Sequence, residues 1–135
     1  MKTNNHYSKV EILKMYAACW NSLDSSKLKN LLHQEVEYNS MWVFETIVGK
    51  KAFIDYFNSK LNTLKLQKAN TKIEAKLFMF SEWTSNDLEP CLVITQQFQN
   101  GTTQKVSLLI EVENGLITHI DLCEMIYKLY EFNPK

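Results

Sequence analysis

Two residues with side chains suited to proton transfer, His119 and Asp121, stand two positions apart near the end of the chain. Residues two apart on an extended strand point to the same face, so an imidazole and a carboxylate would lie side by side there. A histidine–carboxylate pair can orient and relay a proton. The same pair also suits an exposed sheet surface or a dimer interface, and both interpretations stay open.

Glu124 is the other candidate acid or base, on the opposite face of the same predicted strand. A carboxyl group enclosed by apolar side chains has its charged form disfavoured, which raises its pKa toward a range useful for catalysis. A solvated glutamate at the end of a strand is the alternative interpretation. Glu111 has the same ambiguity and lies nearer to a hairpin turn.

Other motifs of catalysis or cofactor binding are missing from the sequence. His6, His33 and His119 are far apart, and no Cys-x-x-Cys or His-Glu-x-x-His spacing occurs, so we expect no metal site. The chain has three glycines and no glycine-rich phosphate loop, so we expect no cofactor bound in that way. A serine nucleophile in a sharp strand-to-helix turn is absent as well.

The composition is that of an ordinary globular protein. A length of 135 residues predicts a single domain over residues 1–135, with 45% apolar and 22% charged residues. Lysine plus arginine and aspartate plus glutamate each total 15, and this balance argues against nucleic acid as a partner. No stretch approaches the ~20 apolar residues of a membrane span.

The sequence also predicts the cellular compartment of the protein. The first twelve residues lack the apolar core of a signal peptide, which predicts a cytoplasmic protein and no membrane partner. Three cysteines, an odd number without paired spacing, agree with a compartment where thiols stay reduced. We expect all three to be buried and unreactive.

The apolar pattern predicts helices followed by strands. Ser8 followed by Glu11 is a capping-box signature that opens a first helix, with an apolar face that reaches Trp20. A short second helix is predicted at 28–32. A third, after the Gly49 corner, has an aromatic stripe: Phe53, Tyr56, Phe57, Leu61 and Leu64. Strands are predicted at 35–40, 41–48, 73–80, 91–98, 103–113 and 116–124. Helices packed on one sheet face make this an α+β fold, with a pocket between the aromatic helix and a curved sheet.

Two Asn-Gly pairs, at 100–101 and 114–115, lie between apolar runs and predict hairpins with two-residue turns. Such turns set Glu113 against Leu116, and Leu109 against both Ile120 and Leu92. One face then collects Leu92, Ile94, Gln96, Ser107, Leu109, Glu111, Thr118, Ile120, Leu122 and Glu124. The other collects Cys91, Val93, Thr95, Val106, Leu108, Ile110, Val112, Ile117, His119, Asp121 and Cys123.

Both predicted faces are substantially apolar. Helices can cover one of them, but an antiparallel sheet normally leaves its other face polar toward water. A second apolar face therefore predicts a homodimer formed through the sheet. A slip of one residue in the last hairpin would exchange the faces.

The order of these elements resembles the nuclear transport factor 2-like (NTF2-like) superfamily, the cone-shaped, cystatin-like α+β fold of ketosteroid isomerases and SnoaL-like polyketide cyclases. The resemblance covers about residues 8 to 124 and implies three N-terminal helices on a curved, mainly antiparallel sheet. It also implies an enclosed, often apolar pocket, and a dimer through the outer sheet face. The sequence segments that carry the resemblance are Trp20-Asn21, Asp24 with Leu28 to Leu32, Val36-Glu37-Tyr38, Val48-Gly49-Lys50 before Phe53 to Phe57, and Glu113 to Ile117.

The resemblance carries over few catalytic positions. Tyr16 matches the tyrosine that donates to an oxyanion in steroid isomerases. The positions that hold acids in enzymes of this superfamily correspond here to Tyr38, Ser107 and Leu122. The resemblance therefore does not imply isomerase or epoxide hydrolase chemistry.

The resemblance places Ile120 and Leu122 on the inside and His119 and Asp121 on the outside. The predicted pocket residues are Tyr16, Trp20, Tyr38, Trp42, Tyr56, Leu92, Ser107, Leu109, Ile120, Leu122 and Glu124. Tyrosine and tryptophan suit such a pocket because each combines a large apolar surface with one polar donor. They would equally fill a solid core.

Three functions follow as hypotheses. The first is a homodimer that binds a small, largely apolar molecule, with no reaction assigned. The second is an enzyme of proton transfer, dehydration or cyclisation, with Tyr16 as hydrogen-bond donor and Glu124 or Asp121 as base. The third is a protein-interaction scaffold. Fold alone cannot rank them, because function depends on the site.

Overall fold

Two α-helices and a curved seven-stranded sheet make up the part of the chain that the structure, a computed structural model, describes: residues 7–40, 45–67, 70–81, 87–124 and 128–131. No helix in these ranges is long and apolar enough to cross a membrane. The elements are α1 (Lys9–Ser22), β1 (Leu32–Ser40), β2 (Ile47–Val48), α2 (Lys50–Leu66), β3 (Thr71–Ser81), β4 (Glu89–Phe98), β5 (Thr103–Glu113), β6 (Leu116–Cys123) and β7 (Lys128–Glu131).

The first helix begins as predicted. The Ser8 hydroxyl accepts from the Glu11 backbone N–H at 3.1 Å, and the Glu11 carboxylate accepts from the Ser8 N–H at 2.8 Å. The helix ends at Leu23, which has a left-handed conformation with φ 57°.

The prediction of three helices is wrong, because the described residues form two α-helices and a single 3₁₀ turn, Lys29–Leu31. A turn at Asp24, in which its carboxylate accepts from the Ser26 N–H, uses part of the short connection between α1 and β1. Too few residues remain before Leu32, where the strand begins, for a second helix.

The sheet order is β2-β1-β6-β5-β4-β3-β7, and β1 is parallel to β6 while every other pair of neighbours is antiparallel. The parallel pair places Tyr38 of β1 directly beside Ile120 of β6. An early strand therefore lies next to the last hairpin, and α2 packs against β1 and β2. Of the predicted strand at 41–48, Ile47–Val48 is a strand, residues 45 and 46 are not, and residues 41–44 lie outside the described ranges.

The last hairpin keeps its predicted turn but not its predicted register. Asn114 and Gly115, with φ 53° and 77°, form the two-residue turn, and Glu113 pairs with Leu116. Beyond the turn a β-bulge lies between Glu111 and Val112, and Thr118 has no partner residue. One extra residue on β6 shifts every later pair by one position.

The other hairpin differs by one residue for a separate reason. The Phe98 N–H donates to the Thr102 carbonyl, and the Gly101 N–H donates to the Phe98 carbonyl. Three residues rather than two therefore form the loop. Gly101, with φ 90°, supplies the left-handed residue that such a loop requires. As a result Leu92 pairs with Leu108, not with Leu109.

These two shifts change the membership of the sheet faces. We call the face that packs against the helices the inner face; it contains Leu92, Ile94, Gln96, Val106, Leu108, Ile110, Ile120 and Leu122. We call the opposite one the outer face; it contains Cys91, Val93, Ser107, Leu109, Glu111, His119, Asp121 and Cys123. The prediction that Ser107, Leu109 and Glu111 share a face with Ile120 is therefore wrong, as is the outward placement of Val106, Leu108 and Ile110.

Asn21, in the last turn of α1, fastens the helix to the sheet. Its side-chain amide donates to the Ala75 carbonyl at 3.0 Å, and its side-chain oxygen accepts from the Ala75 N–H at 2.8 Å. This side of β3 pairs with β7 only from Phe78 to Ser81. The asparagine thus occupies backbone groups of a sheet edge that would otherwise be open to another strand.

Replacing Asn21 by alanine should lower the free energy of unfolding by about 2 kcal/mol, since two part-buried hydrogen bonds are lost. Urea unfolding measures this, and hydrogen exchange at the Ala75 amide should accelerate at the same time. Asn62→Ala, an exposed asparagine on α2, is the control and should change stability little. Equal stability of the two variants would contradict this role of Asn21.

Two of the three free cysteines are buried as predicted, Cys19 and Cys91, whereas Cys123 is half-buried. Burial, with a smaller contribution from the nearby Cys123, raises the pKa of the Cys91 thiol to about 12. A thiol with so high a pKa is protonated and a poor nucleophile at neutral pH.

Alkaline pH should destabilise the protein partly through Cys91. Below about pH 9 the thiol is protonated in the folded and the unfolded chain; between about 9 and 12 only the unfolded chain ionises. The free energy of unfolding should therefore fall by up to about 1.4 kcal/mol per pH unit from this one group. Denaturant unfolding from about pH 9 to about pH 10 measures the slope. A slope for Cys91→Ala as steep as that of the parent protein would contradict the assignment.

Candidate functional site

A small cavity lies between α1, α2 and the inner face, with a volume of about 40 Å³. Since a water molecule needs roughly 10–15 Å³, the space suits a few waters or a small organic molecule. Five of its lining side chains are apolar or aromatic, and three are polar. The lining residues are Trp20, Ile73, Ile94, Val106 and Leu122, with Lys60, Gln96 and Gln104.

The sheet positions most of this lining through one row of paired residues. Ile73 of β3 pairs with Gln96 of β4, and Gln96 pairs with Gln104 of β5. Beside this row, Ile94 pairs with Val106. The alternation of a strand therefore places amide groups and apolar groups next to each other on one wall.

Trp20, near the end of α1, forms the opposite wall. Its ring contacts that of Phe57 edge to face, with centroids 5.1 Å apart. The side chain is 6% exposed, and its indole Nε1–H is buried without a hydrogen-bond partner among the residues that the structure describes. A buried donor without an acceptor costs about 1–3 kcal/mol, so this group is a candidate to bind an acceptor on a ligand.

Two larger depressions, of about 410 and 600 Å³, are open grooves at the surface near the start of β3. Polar side chains such as Asn21, Lys72 and Glu74 line the first groove. Because these groups are already solvated, neither groove offers the desolvated apolar surface that holds a small molecule.

A cluster of tyrosine hydroxyls lies elsewhere in the interior. The hydroxyls of Tyr38 and Tyr56 are 3.5 Å apart, and Ser40 also hydrogen-bonds Tyr38. Burial raises the pKa of Tyr38, and it raises the pKa of Tyr16 well above its ordinary value, with a further contribution from the neighbouring Tyr38. These phenols are therefore neutral at physiological pH.

Aromatic packing surrounds this hydroxyl cluster. Tyr16 packs edge to face against Phe57 at 5.6 Å, and Tyr38 packs against Phe53 at 5.2 Å. Tyr16 and Tyr38 are 1% and 4% exposed. They do not line the cavity described above. In the described part of the chain they act as core residues.

The predicted pocket residues therefore separate into groups. Trp20 and Leu122 line the cavity, and Leu92 and Ile120 are fully buried in the core beside it. Tyr56 is half-buried next to Tyr38. Trp42 lies outside the described residues.

Ser107 and Leu109 lie on the outer face, because of the changed register, and not at the cavity. Ser107 is fully buried there, and no residue in the described ranges hydrogen-bonds its hydroxyl.

The candidate acids and bases are also away from the cavity. Glu124 follows the end of β6 and is exposed. His119 and Asp121 lie on the outer face, as the resemblance implied. His119 is flanked by Glu37, 3.8 Å from its Nε2, and by Glu111, 3.6 Å from its Nδ1. No three histidine, cysteine, aspartate or glutamate side chains in the described ranges are arranged to hold a metal ion.

Six of the eight lining residues were not among the predicted pocket residues: Ile73, Ile94, Gln96, Val106, Lys60 and Gln104. A signal for Lys60 was available: it lies three residues after Phe57 and four before Leu64, within the apolar stripe of α2. A single cation in an otherwise apolar stripe indicates a side chain with a partner or a ligand. For Gln104 there was no such signal, because its face depends on the loop length of the hairpin.

Comparisons with known proteins agree with the fold described above. No protein-family model and no curated protein matches the chain. Among solved structures, an NTF2-like protein of unknown function from Mesorhizobium loti superposes with a TM-score of 0.62 at 12% identity, covering 88% of this chain and 89% of the other. One from Cytophaga hutchinsonii gives 0.59 at 18% identity, covering 95% of each chain.

A third similar structure contains a ligand. A protein from Catenulispora acidiphila with a ketosteroid isomerase-like fold, in complex with trimethylamine, superposes with a TM-score of 0.55 at 15% identity and covers 85% of each chain. At these identities the likeness is one of fold. The chain therefore has the NTF2-like fold.

Proposed function

We propose that this protein binds a small, largely apolar molecule that has a hydrogen-bond acceptor, in the cavity beside Trp20. The single observation that carries the proposal is the Trp20 indole, which lines the cavity with Ile73, Ile94 and Val106 and has a buried Nε1–H without an acceptor among the described residues. An acceptor on the ligand would satisfy that donor, and the walls would cover an apolar remainder.

The size of the cavity restricts the class of ligand. A volume of about 40 Å³ is far below the several hundred Å³ of a drug-sized site. The relative from Catenulispora acidiphila, crystallised with trimethylamine, is a precedent for a ligand of few atoms on this fold. We therefore expect a compact molecule with a short apolar part.

An enzyme of proton transfer, the alternative, receives less support. It requires a carboxylate or an imidazole within hydrogen-bond reach of the substrate. The eight lining residues include neither, and the proposed bases Glu124 and Asp121 lie outside the cavity. A scaffold that only binds other proteins would leave the unpaired indole donor unexplained.

Binding is best tested through the indole resonance of Trp20, identified by its absence in Trp20→Phe. Butan-2-one and 2-methylbut-1-ene have nearly the same shape, but only the ketone can accept a hydrogen bond. We expect the ketone to move the indole proton downfield and to bind about tenfold tighter than the alkene, since one hydrogen bond is worth about 1 kcal/mol or more. Its dissociation constant should be about millimolar, given so few non-hydrogen atoms.

Trp20→Phe should abolish the preference for the ketone over the alkene. The matched control is Tyr56→Phe, which removes a hydroxyl outside the cavity and should keep the preference. If neither compound shifts the resonances of cavity residues, or if the preference survives Trp20→Phe, the proposal is wrong.

We also propose that the protein forms a homodimer through the outer face. We further propose that it comprises one domain and is located in the cytoplasm. Phe78, Leu109 and Cys123 are half-buried apolar side chains on the outer face, and an apolar patch that repeats on an identical copy suits a two-fold interface. Cytoplasmic location is supported by three cysteines without a disulfide.

Leu109→Lys should convert the dimer into a monomer, because the interface would bury two unpaired ammonium groups. Light scattering coupled to size exclusion measures the mass of each species. Asn62→Lys places the same charge on the exposed side of α2 and should leave the dimer intact. A parent protein that is monomeric at all concentrations would exclude this interface.

A further inference from the structure

We propose that the acceptor on the ligand is a carboxylate, so that the cavity selects a short-chain monocarboxylic acid. This inference rests on the proposed function and specifies its ligand class. The observation behind it is Lys60, which lines the same cavity as the unpartnered Trp20 donor. An ammonium group and an indole N–H share the property that they donate hydrogen bonds and cannot accept them.

The electrostatics of the lining favour an anion. The lining residues include one cation and no aspartate or glutamate. Lys60 forms none of the ion pairs found among the described residues, whereas Lys9 pairs with Glu89 and Lys51 pairs with Asp55. The half-buried ammonium of Lys60 is therefore available to a negative ligand, and the attraction is less screened beside an apolar wall than in open water.

The amide groups fit the same ligand. The Gln96 side chain lines the cavity, and its amide donates to the Thr71 hydroxyl at 3.3 Å. Gln104, its neighbour on β5, can direct its own amide donor toward a bound oxygen. A carboxylate has two oxygens with several lone pairs, enough for the indole, the ammonium and one amide together.

The apolar lining limits the length of the alkyl chain of the acid. Ile73, Ile94, Val106 and Leu122 form a wall of branched side chains that would desolvate an alkyl chain. With a cavity of about 40 Å³, a chain of a few carbons is covered and a longer one must extend into solvent. Binding should therefore improve from acetate to butyrate and improve little from butyrate to hexanoate.

Titrations followed by the Trp20 indole resonance test the inference with three probes of similar size: butyrate, butyramide and butan-2-one. We expect butyrate to bind about tenfold tighter than butyramide, as is usual for a charge-assisted hydrogen bond. Raising the salt concentration from about 20 to about 500 mM should weaken the binding of butyrate and leave the binding of butyramide unchanged.

Three variants assign the effect to one side chain. Lys60→Gln should remove the preference for butyrate and its salt dependence, while Lys60→Arg, which keeps the charge, should retain both. Lys65→Gln removes an exposed charge from the same helix and should behave like the parent protein. A thermal melt of each variant shows that it is folded, so that loss of binding is not loss of structure.

The outcomes separate the two proposals. If butyramide and butan-2-one bind as tightly as butyrate, or if Lys60→Gln keeps the preference, the carboxylate inference is overturned and the proposed function stands. If none of the three probes affects the Trp20 resonance, both are overturned. A preference for butyrate that disappears only in Lys60→Gln supports the assignment.

Discussion

One unpaired residue in the last hairpin determines which side chains reach the interior of this protein. Because alternate residues of a strand point to opposite faces, the extra residue at Thr118 reverses the faces of β5 relative to β6. Leu108 and Ile110 thereby join Ile120 and Leu122 under the helices, and Ser107 and Leu109 turn outward. The core, the cavity wall and the outer face all depend on this register.

The interior is filled in one region and open in another. Phe53 and Phe57 of α2 stack with their rings 5.8 Å apart and fill the space around Tyr16 and Tyr38. Around Trp20 the helices end, and the wall is made of smaller branched side chains and amides. Space remains there because no aromatic ring of α2 reaches as far as the row formed by Ile73, Gln96 and Gln104.

The site contains donors but no base, and this asymmetry separates it from acid–base active sites on related folds. The resemblance matched three positions with acids of superfamily enzymes, and of these Tyr38 lies in the core, Ser107 on the outer face and Leu122 at the cavity. The carboxylates near His119 lie across the sheet from the cavity, on the outer face. The described residues that line the cavity supply hydrogen-bond donors for the proposed binding of an acceptor, and none of them is a carboxylate or an imidazole.

The sequence by itself determined the local features of this protein. The capping box at Ser8, the left-handed turn at Asn114 and Gly115, and the aromatic stripe of α2 all depend on residues close in the chain. Their order was enough to predict the α+β fold. The tertiary structure alone decided the loop length at Gly101, the bulge at Thr118 and hence the inner face. Those choices depend on packing between distant elements, since a shift of one residue exchanges faces at little local cost and only burial against the helices selects between them.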